Sequence, residues 1–312
     1  MVLSLSKDDI RSVATWPLII EALRDGHRGP KPEVGDSFVG GAGNTMLVRS
    51  AWVDGLAAGV KAATVVPDNG KRDLPSIHAQ VMLFDPTTGQ LMALLDGTEV
   101  TPWKTAADSA LGCDLLARQD VETLVMIGAG TMAEPLIRAH LTVRPGLKRI
   151  LLWNRTPEKA VALVQQLSDL SQKVQVANSR EEAVPQADIV SCATMSSEPV
   201  LAGEWLQPGT HVDLVGAYKP DMREADDEVH SRGRWFVDSF DTTLNHIGEL
   251  KIPLAAGTIQ RADVQGDLHD LVAGRAGRQS GEEITVFKNG GGAHLDVMTS
   301  AALADAYNKQ RS

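Results

Sequence analysis

Three stretches of the chain set residue types at spacings that could do chemistry. The first is "LVMIGAGTMAEPL", residues 124–136, where Gly128-x-Gly130-x-x-Ala133 follows an apolar run and precedes a helical pattern. In that order Gly128 permits a tight turn, Gly130 lets the backbone approach a pyrophosphate, and Ala133 allows close helix-to-strand packing. Thr131 and Met132 lie where the helix opens, and its free N–H groups would face the phosphates. Alone the glycine pattern is weak, but here a buried strand precedes it and a second strand ending in "LLWNRT" follows. The sequence predicts a dinucleotide site.

The end of that second strand is the next place to read. An acid there normally holds the adenosine ribose, whereas this chain has Asn154-Arg155-Thr156. Arg155 can pair with a 2′-phosphate that an acid would repel, and Asn154 and Thr156 can donate hydrogen bonds to it. NADP(H) is therefore favoured, with NAD(H) kept as the alternative if Arg155 only stacks on adenine or caps the helix. No second flavin-binding segment accompanies the pattern.

The third stretch is a set of cations near the N-terminal end: Arg49 after "NTML", Lys61 in "AGVKAATVVPDN", and Lys104 in "GTEVTPWKTAADSALG". A lysine in an apolar, β-branched strand costs stability unless it is paired or faces a cleft, which singles out Lys61. His78 and His294 rank below these, because a lone histidine is more often structural. Cys113 and Cys192 are too few for a disulfide framework and lack metal-ligand spacing, so no metal site is expected.

These residues need a scaffold. With 312 residues, two domains are the better expectation than one core. The 43% hydrophobic and 22% charged composition is that of a globular protein, and the net charge of −10 argues against nucleic acid or an anionic membrane as partner. A small anionic substrate stays open, since local cations outweigh a distant negative surface. The opening "MVLSLSKDDIRS" meets Lys7, Asp8 and Asp9 before any long apolar run, unlike a signal peptide, so a cytoplasmic location is expected.

Along the chain, early helices give way to short β-type runs between residues 46 and 97, with "DPTTGQ" as a hairpin turn. "TPWKTAADSALGCDLLARQD" reads as a helix. After residue 120 strands alternate with helices, which implies a doubly wound parallel sheet. The tail "NGGGAHLDVMTSAALADAYNKQ" is a glycine turn opening a helix.

Several motifs in this order resemble the ornithine cyclodeaminase/μ-crystallin family: "GVKAATVVPDN", "LLDGTEVTPWKTAADSALG", "VMIGAGTMA", "VSCATMSSEPVL", "HVDLVGAYKPDMREADDEV" and "EITVFKNGGGAHLDV". The resemblance runs nearly end to end and is closest in motif to the Δ1-pyrroline-2-carboxylate (ketimine) reductases. It implies an α/β protein whose Rossmann domain, residues 121–289, is inserted in a β-rich α+β substrate and dimerisation domain, residues 1–120 plus 290–312, and it implies a homodimer. By the same resemblance Lys61 lies at the substrate, Arg49 and Lys104 bind its carboxylate, and Thr194, Val215 and Gly216 pass beside the cofactor. Asp296 matches a family aspartate. The family usually has arginine where Lys104 stands.

One departure bears on activity. Ornithine cyclodeaminases carry an aspartate after the "VG-x" turn, where this chain reads Val215-Gly216-Ala217-Tyr218; the nearby Asp221 belongs to the next segment. The turn is more like that of the ketimine reductases. The expected activity is NAD(P)H-dependent reduction of a cyclic 2-carboxy imine, with Arg49, Lys61 and Lys104 on the substrate and Tyr218 a further candidate near the proton. The alternatives are an ornithine cyclodeaminase using NAD⁺ without net redox change, an alanine dehydrogenase-like enzyme, and a non-enzymatic protein that binds NADPH and a small ligand.

Overall fold

The computed structural model describes residues 2–41 and 43–311. Their contacts divide them into two compact units, one ending at Ala107 and resuming at Gly291, the other spanning Asp108–Gly290. Among the described residues no helix is long and apolar enough to cross a membrane.

The first unit begins with β1 (Leu3–Leu5), α1 (Lys7–Val13) and α2 (Trp16–Arg28). Ser6 and Asp9 form a capping box at the start of α1, and the Thr15 side chain caps α2, so each helix begins where a polar side chain satisfies its first free N–H groups. Five strands follow: β2 (Glu33–Gly41), β3 (Asn44–Val53), β4 (Ala57–Val65), β5 (Ile77–Phe84) and β6 (Leu91–Asp96). The sheet order is β1-β6-β5-β4-β3-β2, antiparallel except where β1 pairs with β6. Between β5 and β6 the expected hairpin turn is present, with Asp85 accepting from the N–H groups of Thr87 and Thr88 and Gly89 at φ 71°. The C-terminal helix, Ala293–Arg311, packs on α2, β3 and β4 of this unit. Glycines allow that approach, since a Cβ at Gly26 would strike Met298 and one at Gly59 would lie 2.6 Å from Val297.

The second unit is the doubly wound sheet. Its strands are β7 (Thr123–Ile127), β8 (Arg149–Trp153), β9 (Val174–Val176), β10 (Ile189–Cys192), β11 (His211–Leu214), β12 (Gly233–Val237) and β13 (Ile284–Lys288). All pair in parallel in the order β12-β13-β11-β10-β7-β8-β9, so the order reverses between β7 and β10. Every residue of β7, β10, β11 and β13 is buried, the pattern of strands covered on both faces.

The boundary between the units differs from the expected residue 120. It falls inside α3 (Gly97–Leu116), a single helix in which no break separates the two halves. The later half belongs with the second unit for a physical reason: the buried Arg144 guanidinium donates to the carbonyls of Cys113, Asp114, Ala117 and Arg118. Gly112 leaves room for the Phe287 ring, and a Cβ there would lie 2.7 Å from it.

Candidate functional site

In the first unit, register places the cations. Lys61 on β4 stands opposite Arg49 on β3, and Arg49 opposite Asp36 on β2, so the three lie in one line across the sheet. Lys104 comes from α3 and Asp296 from the C-terminal helix. The Lys61 ammonium donates to Asp296 Oδ1 at 3.1 Å and to Thr101 Oγ1 at 2.8 Å. Lys104 donates to the Gly291 carbonyl at 2.8 Å and sits 3.8 Å from Asp296 Oδ2. Arg49 reaches the same carbonyl at 2.6 Å and holds Asp36 through Nε and Nη2. Thus the structure brings together all three cations read from the sequence.

Lys61, Lys104 and Asp296 are buried. Burial pushes the Asp296 carboxyl upward, but the charges of Lys104, Lys61 and Arg49 outweigh it and hold the group below the usual carboxylate range. Among the described residues Lys61, Lys104 and Arg49 gather around Asp296, a cationic lining that suits a carboxylate from a ligand. An ammonium has three N–H bonds. Two of those on Lys61 go to Thr101 and Asp296, and the third has no acceptor among the described residues.

In the second unit, the glycine loop follows β7 at the point where the strand order reverses. Gly128 has φ 115°, and a Cβ there would lie 2.6 Å from the Ala193 carbonyl, so glycine is needed for both conformation and space. At Gly130 a Cβ would meet nothing within 4 Å. The backbone is open there, as a loop that receives a pyrophosphate must be. Ala133, fully buried, begins α4 (Ala133–Val143); Met132 precedes it half-buried and Thr131 is exposed. Asn154 Oδ1 accepts from the Ala129 N–H, and its Nδ2 donates to the Thr156 carbonyl. Asn154 thus ties the loop to the end of β8, while Arg155 and Thr156 are exposed.

The turns after β10 and β11 complete this crevice. Thr194 and Gly216 are in contact, and a Cβ on Gly216 would run into the Thr194 backbone. Val215 donates to the Cys192 carbonyl, which laces the two turns together. Tyr218 is 55% exposed, and its hydroxyl makes no hydrogen bond among the described residues. His78 is exposed on β5; His294 is buried, edge-on to the His27 ring, as a packed histidine would be.

Sequence reasoning missed Asp36 and Thr101, whose roles depend on strand register and on a helix passing over the sheet. It also missed Glu224, a fully buried carboxylate that accepts from Thr194 and Gly216. The one available signal was an acid inside "DMREADDEV", indistinguishable in type from its exposed neighbours.

A model of the ornithine cyclodeaminase/mu-crystallin family matches residues 11–311. A Delta(1)-pyrroline-2-carboxylate reductase of Paracoccus denitrificans is 48% identical over 301 residues, which are 96% of this chain and 95% of that protein. Among solved structures, the Delta(1)-pyrroline-2-carboxylate reductase of Thermococcus litoralis, in complex with NADH and L-proline, superposes with a TM-score of 0.92 at 30% identity, over 99% of this chain and 98% of the other. An archaeal alanine dehydrogenase dimer with bound NAD gives 0.92 at 26% identity, over 100% and 97% of the two chains.

Proposed function

The chain belongs to the ornithine cyclodeaminase/mu-crystallin family, and from that premise we propose that it reduces a cyclic 2-carboxy imine with a reduced nicotinamide dinucleotide. The substrate is Δ1-pyrroline-2-carboxylate or Δ1-piperideine-2-carboxylate, and the product L-proline or L-pipecolate. The observation that carries this reading is the convergence of Arg49, Lys61 and Lys104 around one buried aspartate, with an N–H of Lys61 left over. The 48% identity to a reductase of this class supports it, as does the likeness to a protein holding NADH and L-proline.

Each unit supplies one reactant. In the first, Arg49 and Lys104 take the substrate carboxylate, and the guanidinium can do so in two-pronged fashion once it releases Asp36. Lys61 directs its remaining N–H at the substrate, where it can hydrogen-bond the imine nitrogen and pass it the proton needed as the imine carbon takes the hydride. Asp296 and Thr101 hold that ammonium in place. In the second unit, Gly128, Gly130, Thr131, Met132 and Ala133 would hold the pyrophosphate, and Thr194, Val215 and Gly216 the nicotinamide half. The dinucleotide supplies the hydride that the imine carbon accepts. Arg155, exposed at the end of β8, favours NADP(H) by pairing with a 2′-phosphate.

The same reading makes the protein a homodimer. β2 is an edge strand nine residues long, with Phe38 66% and Val39 59% exposed. A long apolar edge is a pairing surface unless it is covered. The occupant proposed here is a second copy, in keeping with the dimeric alanine dehydrogenase of similar fold. Light scattering on the purified protein should give twice the monomer mass.

The test of activity is loss of 340 nm absorbance with NADPH or NADH and either imine, beside an assay of ornithine with NAD⁺ for ammonia. Turnover of an imine and silence with ornithine are expected. Ammonia from ornithine without net NADH would overturn the reductase reading and show that Tyr218 can stand where cyclodeaminases have aspartate.

A further inference from the structure

Glu224 is fully buried and collects four donors. Its Oε1 accepts from the Thr194 N–H at 2.7 Å and the Thr194 hydroxyl at 2.8 Å; its Oε2 accepts from the N–H groups of Gly216 at 2.6 Å and Ala217 at 3.3 Å. One carboxylate therefore binds the turn after β10 to the turn after β11. It is itself held from behind. The backbone N–H groups of Glu224 and Ala225 donate to Glu249, another fully buried carboxylate, on the helix Gly248–Ala256. The Glu224 carbonyl accepts from Val200 and Leu201. Such a group is costly to bury and is not needed to close the sheet, whose ladders are complete without it.

The place of the clamp says what it serves. In a doubly wound sheet one mononucleotide half binds on each side of the reversal in strand order. The glycine loop after β7 lies at that reversal, with β8 beyond it on one side and β10 and β11 on the other. Immediately after the clamped amides come Met195, 78% exposed, and Tyr218, 55% exposed. Both put large apolar surfaces into water. We propose that Glu224 is a positioning residue that fixes the turns after β10 and β11 and so presents Met195 and Tyr218 to the nicotinamide half of the dinucleotide. This deepens the reductase reading and rests on it.

The clamp has a pH dependence of known sign. Burial pushes the Glu224 pKa up to about 7, Lys288 on β13 pulls it down, Glu249 pushes it up, and the Thr194 donors pull it down. Cys192 on β10 also faces these carboxylates, and burial pushes its thiol well up, so it stays neutral. A protonated Glu224 oxygen becomes a donor and can no longer accept from two N–H groups. The turns are held above pH 7 and loosen below it.

Dinucleotide affinity, read by NADH fluorescence from pH 6 to 8.5 without imine, tests this. Wild type should bind several-fold more weakly at pH 6 than at pH 8. Glu224→Gln, which replaces one accepting oxygen with a donating NH2 group, should be about tenfold weaker at pH 8, a cost of about 1.4 kcal/mol, with little change across the range. Thr194→Val removes a single donor and keeps the side-chain shape. It should move the midpoint of the affinity profile to higher pH, even if Glu224→Gln fails to fold. Wild-type affinity at pH 8 in Glu224→Gln, or an unmoved midpoint in Thr194→Val, would overturn the proposal. Because no imine is present, a wild type that binds NADH but reduces neither imine sinks the reductase reading and not the clamp.

Discussion

At the scale of single residues, the first unit turns on how buried charges are paired. Lys61 was legible because a lysine amid β-branched residues needs a reason to be there. Its partners were not, since Thr101 and Asp296 lie 40 and 235 positions away and only the packed sheet and helices join them. Lys61→Met should lower kcat/KM for the imine by about 100-fold or more, the scale on which a positioned proton-handling group contributes. NADH affinity should stay within about twofold, because the dinucleotide loops belong to the other unit. A comparable loss of NADH binding would show that Lys61 acts through the fold instead. Asp296→Asn tests the opposite charge. Breaking a buried pair from one side costs about 3–5 kcal/mol, so denaturant unfolding should show a loss of that size. An unchanged unfolding midpoint would mean that the cations do not depend on Asp296.

At the scale of elements, β7 and α4 were readable from an apolar run, a glycine turn and a helical pattern, all local. The two glycines between them do different things, and the difference can be measured. Gly128→Ala meets a positive φ and the Ala193 carbonyl, so it should destabilise the protein by about 2–4 kcal/mol. Gly130→Ala meets open space and should leave unfolding within about 1 kcal/mol of wild type, or raise it slightly. Its methyl group occupies the approach to the loop, so NADH affinity should still fall at least tenfold, a loss of about 1.4 kcal/mol. A stable Gly130→Ala that binds normally would place the pyrophosphate elsewhere. Other elements were not legible. β2, "EVGDSFVGG", has three glycines and an aspartate and lies outside the β-type runs read from the sequence; it is a strand because all nine residues pair with β3. β13 is five buried residues between glycine-rich and polar segments. Its place between β11 and β12 is a tertiary choice that no local pattern carries.

At the scale of the whole molecule, the chain's net charge of −10 coexists with locally positive and locally neutral interiors. One of those interiors sets the pH range of stability. In the second unit His140 Nε2 lies 3.2 Å from Asp213 Oδ2, both fully buried, with the Ser191 hydroxyl donating to the same oxygen at 2.7 Å. Burial opposes a charged His140, but Asp213 and Cys113 outweigh it and raise the pKa from 6.5 to about 10. On β11, two residues before Asp213, burial drives His211 down to about 3. The two act on opposite flanks. A raised histidine gives stability that is complete below its unfolded value and is lost as pH rises towards 10. A depressed histidine gives stability that is present above its unfolded value and is lost as pH falls below it. The raised Glu224 carboxyl, at about 7, offsets the His211 gain below 6.5, so stability should fall as pH rises above about 6.5. Between pH 7 and 9 the loss assigned to His140 is about 2–3 kcal/mol, from a shift of this size at about 1.4 kcal/mol per unit. Thermal unfolding of wild type should show a falling midpoint over that range, and His140→Gln, less stable at pH 7, should show a flatter one. Parallel slopes in the two proteins would mean that His140 is neutral in the folded chain, and that Asp213 draws its stability from Ser191 and the surrounding backbone instead.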